Sequence, residues 1–457
     1  MIPIKTYQDF LAAVEKGEIL DFIRTAITEY MSSKDYKTAL DADEYEAERN
    51  VTINEYARWI YNPSGQQVVD FTAANNKIAS NFLHRLVTQR ITYSLGNGIS
   101  FPKEDGEETD TIKEKLGNKF DTVLFKAARY ARLHKVSYLF WNLDHADFFK
   151  MTEFCPLYDE EDGRLKAGLR FWSLNWGQKP VTVVLYEQDG YTKYRTKKGS
   201  KGLDLAEYEP KRAYKQTIAR NEVDPEEVIG ESNYSDLPII PFWGSSTHQS
   251  DLVGMRAKID SYDLVKSGFC NDLQDCAQAF FIVSNALGMT EEDLAKFRDR
   301  LKLQHIAVMD TDNTDIKPYQ QEIPSDARSK LLDSLYQQIY DDYGAMNVQN
   351  ISGGQSKTAT EIDAAYQPMD EEADDFEYQV IEAVQGVLAL MGIDAVPLFN
   401  RNRVSNQKER TEMVMLAANY LDEETLLNKL PFVTPDEIDG ILVRKGVADQ
   451  ESIVTEE

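Results

Sequence analysis

The chain has 457 residues, of which 42% are hydrophobic, which suffices for more than one packed unit and excludes a disordered chain. Lys plus Arg number 50 against 77 Asp plus Glu, a formal net charge of −27, which excludes an adhesive grip on nucleic-acid phosphates. Cys155, Cys270 and Cys276 are too few for a disulfide framework and fit a reducing compartment, no spacing suggests zinc, and no apolar run is long enough to span a bilayer.

The N-terminus lacks the basic and apolar regions of a signal peptide, so the protein is expected to be soluble and to stay where it is made. From Lys5 to about Asn50 the pattern is helical and charged, with Phe10, Leu11 and Val14 on one stripe and Ile19, Phe22, Ile23, Ile27 and Tyr30 on a second; it reads as a surface layer. After the turn Asn62-Pro-Ser-Gly65, Ile78, Phe82, Leu86 and Ile91 predict a helix that stops at Gly96-Asn-Gly98. Phe101 to Gly117 reads as a loop with one short helix. Phe120 to Leu133 is amphipathic, and Val136-Ser-Tyr-Leu-Phe-Trp141 reads as a buried strand.

Strands are then expected at Leu169 to Leu174, Val181 to Glu187 and Tyr191 to Arg195, the last two joined by the hairpin signal Asp189-Gly190. The basic run from Lys193 to Lys201 reads as a solvated hairpin. Leu237-Pro-Ile-Ile-Pro-Phe-Trp243 is extended, because each Pro pushes its predecessor out of the helical region. From Ser250 a long helix carries Leu252, Met255, Ile259, Tyr262, Phe269, Leu273, Cys276 and Phe280 in a four-three rhythm. A compact insertion follows. Thr290-Glu-Glu-Asp293 opens a short helix, and His305 to Met309 with Asp315 to Tyr319 reads as a small two-stranded unit.

Ser325 to Tyr343 is helical, with Leu331, Leu335 and Ile339 on one stripe and Leu332, Tyr336 and Tyr340 on the next. A Gly- and Ser-containing loop, Gly344 to Lys357, leads to the capping box Thr358-Ala-Thr-Glu361. The helix beyond it carries Ile362, Tyr366, Met369, Ala373, Phe376, Val380, Ala383, Val387 and Leu390 on one seam and crowds acids on its remaining surface. Pro368 lies inside this pattern and predicts a kink, and Gly392 stops the helix. Thr411 to Asn419, Glu423 to Lys429 and Pro435 to Lys445 read as short helices before an acidic tail. Taken alone, the helix pair around the Gly loop is an ordinary amphipathic pair.

No catalytic constellation emerges. Ser352-Gly-Gly-Gln-Ser-Lys-Thr358 fails as a phosphate-binding loop, since Ile351 and Ser356 stand where Gly is needed and the preceding element is a helix. Asp310-Thr-Asp-Asn-Thr-Asp315 fails as a calcium loop, with Asp315 in place of the turn Gly and Gln321 in place of the bidentate Glu. His84, His134, His145, His248 and His305 are scattered, and there is no Gly-x-Ser-x-Gly elbow. No enzyme activity, cofactor or metal is expected.

Several stretches, in their order, resemble one family: the portal, or head-to-tail connector, proteins of long-tailed bacteriophages. They are Asn75-Asn-Lys-Ile-Ala-Ser-Asn-Phe82 to Tyr93-Ser-Leu-Gly-Asn-Gly98, Leu237 to Phe242, Ile259-Asp-Ser-Tyr-Asp263 with Asn271-Asp-Leu273, Ser352 to Ala359, and Asn400-Arg-Asn-Arg-Val-Ser-Asn-Gln407 with Glu424-Thr-Leu-Leu427. The resemblance implies an α+β, predominantly helical fold: a wing (1–244), a first stem helix (245–284), a clip (285–324), a second stem helix (325–343), a tunnel loop (344–357), a kinked wing helix (358–392), and a crown with an acidic tail (393–457). Lys357 and Thr358 stand where the family often has Ser-Gly before the Ala.

The resemblance further implies a homo-oligomeric ring, a dodecamer, at one capsid vertex of a virion, made in the host bacterial cytoplasm. Its partners would be the terminase large subunit, then the head-tail adaptor, the major capsid and scaffold proteins, and double-stranded DNA passing without sequence specificity. Gln349, Asn350, Ser352, Gly353, Gly354, Gln355 and Lys357 are then the candidate residues facing DNA, on a loop that Gly353-Gly354 lets flex. Lys296, Arg298, Arg300, Lys302 and His305 are the candidate docking cluster of the clip. The competing reading is an acidic oligomeric scaffold unrelated to DNA.

Overall fold

The structure, a computed structural model, describes the chain except for residues 1–4, 63, 72, 103–110, 173–179, 198–202, 220–226, 277–279, 285–289, 291, 293–314, 320–323, 348–358, 403–406, 431–432, 434–437, 439, 443 and 446–457. The chain is α+β. It divides into two compact units, one of Met1–Ala42, Arg85–Val253 and Tyr340–Glu457, the other of Asp43–His84 and Gly254–Ile339.

The chain opens with α1 (Tyr7–Lys16), α2 (Ile19–Ser32) and α3 (Lys34–Glu46). Thr6 and Asp9 form a capping box at the start of α1, and Gly17 ends that helix in the left-handed region. Then come α4 (Val51–Glu55), the ribbon β1 (Trp59–Tyr61) and β2 (Gln67–Val69), α5 (Phe82–Leu95), β3 (Ile99–Ser100), α6 (Thr111–Leu116) and α7 (Phe120–His134). Ile78, expected on the face of α5, instead lies in an extended segment before it.

In the first unit, β4 (Val136–Asn142), β5 (His145–Lys150) and β13 (Ile239–Trp243) form an antiparallel sheet in the order β13-β4-β5. β13 is an edge strand, the place where a sheet tolerates Pro241. Every residue from Val136 to Trp141 is buried, as the continuous apolar run requires.

A five-stranded sheet follows, in the order β10-β9-β8-β7-β6: β6 (Phe154–Tyr158), β7 (Leu165–Trp172), β8 (Thr182–Glu187), β9 (Gly190–Thr196) and β10 (Leu205–Arg212). The β8–β9 hairpin expected from Asp189-Gly190 is present, with Gln188 and Asp189 making the turn and Gly190, at φ +142°, opening β9 opposite Glu187. The basic run on β9 is answered across the strands, by Lys193 to Glu209 at 2.9 Å and Lys197 to Asp204 at 3.2 Å.

The N-terminal helices are more than a surface layer. Phe10, Phe22, Ile23, Ala26 and Ile27 share one core with Leu157, Leu169, Phe171, Val183 and Leu185 of the five-stranded sheet, while Leu11 and Val14 are exposed. A sheet face of this size needs a cover, and these helices are the apolar surface that supplies it.

β11 (Lys215–Ala219) and β12 (Glu227–Ser232) pair with each other. Helix α8 (Asp251–Cys276) stops short of the expected Phe280: after it, β14 (Phe280–Ser284) pairs with β15 (Asp315–Tyr319). The aromatic and β-branched run Phe280-Phe-Ile-Val283 fits the helical rhythm in sequence but prefers a pleated strand. The strand expected at Asp315 to Tyr319 is present. His305 to Met309, and all but isolated residues of the short helix expected from Thr290, lie outside the described residues.

Helix α9 (Ser325–Tyr343) has the expected bounds, and α10 (Ala359–Leu390) runs through Pro368. It ends where Ile393 donates to Leu388 O at 3.0 Å and Gly392, at φ +73°, to Ala389 O at 3.1 Å. β16 (Leu398–Phe399) pairs with β3, and α11 (Gln407–Leu416) and α12 (Glu423–Lys429) follow, the latter capped by Asp422. The helix expected over Pro435 to Lys445 lies largely outside the described residues.

Candidate functional site

The most heavily braced part of the first unit is the point where the chain leaves α9 toward the Gly-rich loop. Helix α9 ends with Ala345 donating to Tyr340 O at 2.9 Å and Gly344 to Asp341 O at 3.1 Å, and Gly344 adopts φ +64°. A Cβ there would lie 3.2 Å from Pro368 O and 3.1 Å from Glu372 Cγ, so only Gly fits both the turn and the approach to α10. Met346 and Asn347 are buried, and Gln89 Nε2 of α5 donates to Met346 O at 3.0 Å.

Arg90 occupies the centre. It follows Phe82 and Leu86 on one stripe of α5 and is 2% exposed, an interior position for a side chain that stays charged. Its Nη1 donates to Glu372 Oε2 at 2.6 Å and its Nη2 to the carbonyl of Tyr343, the negative end of α9. The guanidinium also lies over the Tyr343 ring, 4.8 Å from its centroid.

Tyr343 carries the connection onward through its hydroxyl, which donates to the Asp251 carboxylate at the start of α8. Burial, and then the Asp251 charge, push the Tyr343 phenol well above its usual range, so it is a neutral donor. Asp251 also accepts from Arg132 Nε at 2.9 Å, and Arg132 Nη1 donates to Gly244 O at 2.8 Å. Although burial alone would lower it, the pKa of Arg132 is held above its ordinary value by the Asp251 carboxylate. The series Arg132, Asp251, Tyr343, Arg90, Glu372 is thus one connected polar network with two cations and two anions.

A second set of anchors lies on α10. Tyr366 of α10 stacks on Tyr93 with ring centroids 5.8 Å apart, and Met346, Met369 and Ala373 close the cluster. Tyr93 Oη donates to Asp370 at 2.5 Å. Arg401 then binds the acidic face of α10, with Nε to Glu377 at 2.9 Å, Nη1 to Asp370 at 3.0 Å and Nη2 to Asp374. Asn97 donates to Asn400 O at 3.0 Å and Asn402 N–H to Tyr93 O at 2.8 Å, so the segments Tyr93–Gly98 and Asn400–Asn402 meet.

The second unit has its own polar seam. The extended residues before α5 make no ladder of their own, and side chains of α8 answer their backbone. Asn76 N–H donates to Asn271 Oδ1 at 2.6 Å, Ile78 N–H to Ser267 Oγ at 3.0 Å, and Asn50 Nδ2 to Ser80 O at 3.1 Å and to the Asp263 carboxylate. Asp263, Ser267 and Asn271 recur every four residues and are buried. Phe82 closes the seam edge-on against Tyr262, with centroids 5.0 Å apart.

The candidate DNA-facing residues Gln349, Asn350, Ser352, Gly353, Gly354, Gln355 and Lys357 lie outside the described residues, as do Lys296, Arg298, Arg300, Lys302 and His305. Pro368 lies inside α10, its carbonyl turned to the Gly344 backbone. Gln89, Arg90, Arg132, Asp251 and Tyr343 escaped the sequence reading. The signal for two of them was available: Arg90 and Arg132 are cations on otherwise apolar helical stripes.

Comparison with known proteins gives the class. Residues 32–451 match the family described as phage portal protein, SPP1 Gp6-like, and the chain belongs to that family. Its relatives include the portal protein of Clostridium phage phiCD119, 23% identical over 388 residues that cover 79% of this chain and 82% of the relative. The portal protein of Bacillus phage SPP1 is 20% identical over 411 residues, covering 84% of this chain and 79% of the relative. Similar solved chains come from the neck of an empty gene transfer agent particle (TM-score 0.45, 12% identity, 84% of this chain and 98% of that one) and from a native gene transfer agent virion (TM-score 0.42, 13% identity, 85% and 99%).

Asp263 makes stability depend on pH in a definite direction. Burial raises its pKa above the usual carboxylate value, partly offset by hydrogen bonds from Ser80 and Asn50. The folded state therefore holds the proton more tightly than the unfolded one, so this residue's contribution is fully present below the unfolded pKa and is lost as pH rises through the folded one. In Asp263→Asn that dependence vanishes. The melting temperature of the variant minus that of the parent should rise between pH 4 and pH 7; a difference flat across that range would show that the buried carboxylate carries no such cost.

Proposed function

We propose that the chain is the subunit of a ring-shaped portal at one vertex of a phage capsid, a channel for double-stranded DNA during packaging and ejection. The observation that carries this reading is membership of the portal family together with the buried bracing of Tyr343–Asn347, where the chain leaves α9, and of Tyr366–Ala373 on α10. A loop that touches moving DNA takes repeated lateral load, and buried ionic and aromatic anchors at its base transmit that load to the helices.

The charge supports the same reading. With −27 on each subunit, a ring presents DNA with a repulsive wall that lets it slide. Gln349, Asn350, Ser352, Gln355 and Lys357 supply brief polar contacts to phosphates at one level, and Gly353-Gly354 lets them follow the moving strand. Pro368 bends α10 on the return path from the loop. In the clip, Lys296, Arg298, Arg300, Lys302 and His305 form a basic surface that docks first the terminase large subunit and then the head-tail adaptor. The assembled ring resides in the virion, in contact with capsid and scaffold proteins.

Negative-stain imaging with native mass spectrometry should give a ring of about twelve copies around a central hole. A stable monomer or dimer across concentration and salt would remove the portal reading. Lys357→Glu should leave the ring intact and lower DNA retention in filled heads, and unchanged packaging and retention would release the loop from this role. Reversing Lys296, Arg298, Arg300 and Lys302 together should weaken adaptor binding at least about tenfold while rings still form, since paired surface charges set docking; undiminished binding would place the docking surface elsewhere.

A further inference from the structure

The ribbon of β1 and β2 belongs to the second unit. Its register is Trp59 to Val69, Ile60 to Val68 and Tyr61 to Gln67, and among the described residues no third strand joins it. An isolated two-stranded ribbon is at best marginally stable in water and needs another strand or an apolar cover. Here both faces are open. Trp59 (55% exposed) and Tyr61 (76%) stand on one face, Ile60 and Val68 on the other, and Phe71 just beyond β2 is 92% exposed. The turn is nevertheless well made: Asn62 N–H donates to Gln66 O at 2.9 Å, Gly65 N–H to Asn62 O at 2.8 Å, and Gln66 N–H to Asn62 Oδ1 at 2.8 Å.

Charge selects the occupant. From Tyr56 to Phe71 the only charged residues are Arg58 and Asp70, one of each sign, so the segment is neutral in a chain of −27. Two copies of so acidic a chain repel over most of their surface, and they can approach where that charge is absent. The exposed side chains are also of the aromatic kind that fill the centres of protein interfaces. We propose that the hairpin 56–71 packs against a neighbouring copy of this chain, each copy offering its hairpin to a different surface of the next, as ring closure requires. This rests on the ring reading above.

The test is the triple variant Trp59→Ser, Tyr61→Ser, Phe71→Ser, which leaves the charge unchanged, compared with the parent by native mass spectrometry and far-ultraviolet circular dichroism. The expected result is a folded subunit that no longer assembles where the parent forms rings. Rings of unchanged number and salt resistance in the variant would overturn the hairpin proposal and leave the ring intact; a parent that forms no ring at any concentration would overturn both. Should the variant fail to fold, hydrogen exchange on the parent decides. Amides of residues 59–69 should exchange at least about tenfold more slowly in the ring than in the dissociated subunit. Equal rates in the two states, or protection that arises only on adding capsid protein, would overturn the proposal.

Discussion

A guanidinium cannot give up its charge, so burying one obliges the fold to bring acceptors to it. Arg90 and Arg132 impose that obligation on the first unit, and much of its arrangement follows from how it is met. Arg132 draws in Asp251 and the carbonyl of Gly244; Arg90 draws in Glu372 and the carbonyl of Tyr343. Tyr343 joins the halves because its ring lies under one arginine while its hydroxyl reaches the partner of the other. The beginning of α8, the end of α9 and the middle of α10 are therefore tied to α5 and α7 at one locus. Replacing a buried pair wholesale by apolar groups can be neutral, but removing one partner of the buried Arg132–Asp251 pair strands the other at a cost of about 3–5 kcal/mol, whereas Glu372 is half exposed to water. The network thus specifies one arrangement of the loop base more than it adds net stability.

Around this locus the chain handles charge in two ways. On α10, Asp370, Asp374 and Glu377 lie on neighbouring turns, and Arg401 gathers them from a segment past the helix end. These partners are partly open to water, where a pair of charges contributes little to stability, so the gain is in position: residue 401 is held to α10 while Asn400 and Asn402 hold the same segment to α5. Over the whole chain carboxylates outnumber Lys plus Arg by 77 to 50. An acidic chain of this kind meets the least repulsion from a second copy where its surface lacks the charge, which is the ground for the hairpin proposal.

Periodicity made the helices legible. The bounds of α9, the stop of α10 at Gly392, the span of α7 and the buried run of β4 all follow from stripes, caps and β-branched runs. It failed where tertiary partners decide the outcome. Phe280 continues the helical rhythm of α8 yet lies in a strand, because β15 is there to pair with it. Ile78 fits the stripe of α5 yet is extended, because Ser267 takes its N–H. Phe10 and Ile23 were visible as an apolar stripe, but not that the five-stranded sheet would bury it. Composition and the family likeness marked the loop and the clip as candidate sites, whereas Arg90 and Arg132, though cations on apolar stripes, have acceptors that only the fold brings to them.

The stretches through which the family likeness is legible have a common physical character. Asn75–Phe82 is held by Asp263, Ser267 and Asn271 with Asn50, and Tyr93–Gly98 by Asn400 and Asn402, segments 195 and 303 residues apart in the Asn76–Asn271 and Asn97–Asn400 bonds. In each, side chains or backbone of a distant segment complete hydrogen bonds that the local backbone cannot make. An apolar stripe can exchange Leu for Met or Ile with little loss, because it asks only for volume. A buried donor asks for an acceptor at one distance and one angle, and a side chain one methylene longer or shorter leaves it unpaired at a cost of about 1–3 kcal/mol. The polar seams are therefore where residue identity matters most to this architecture.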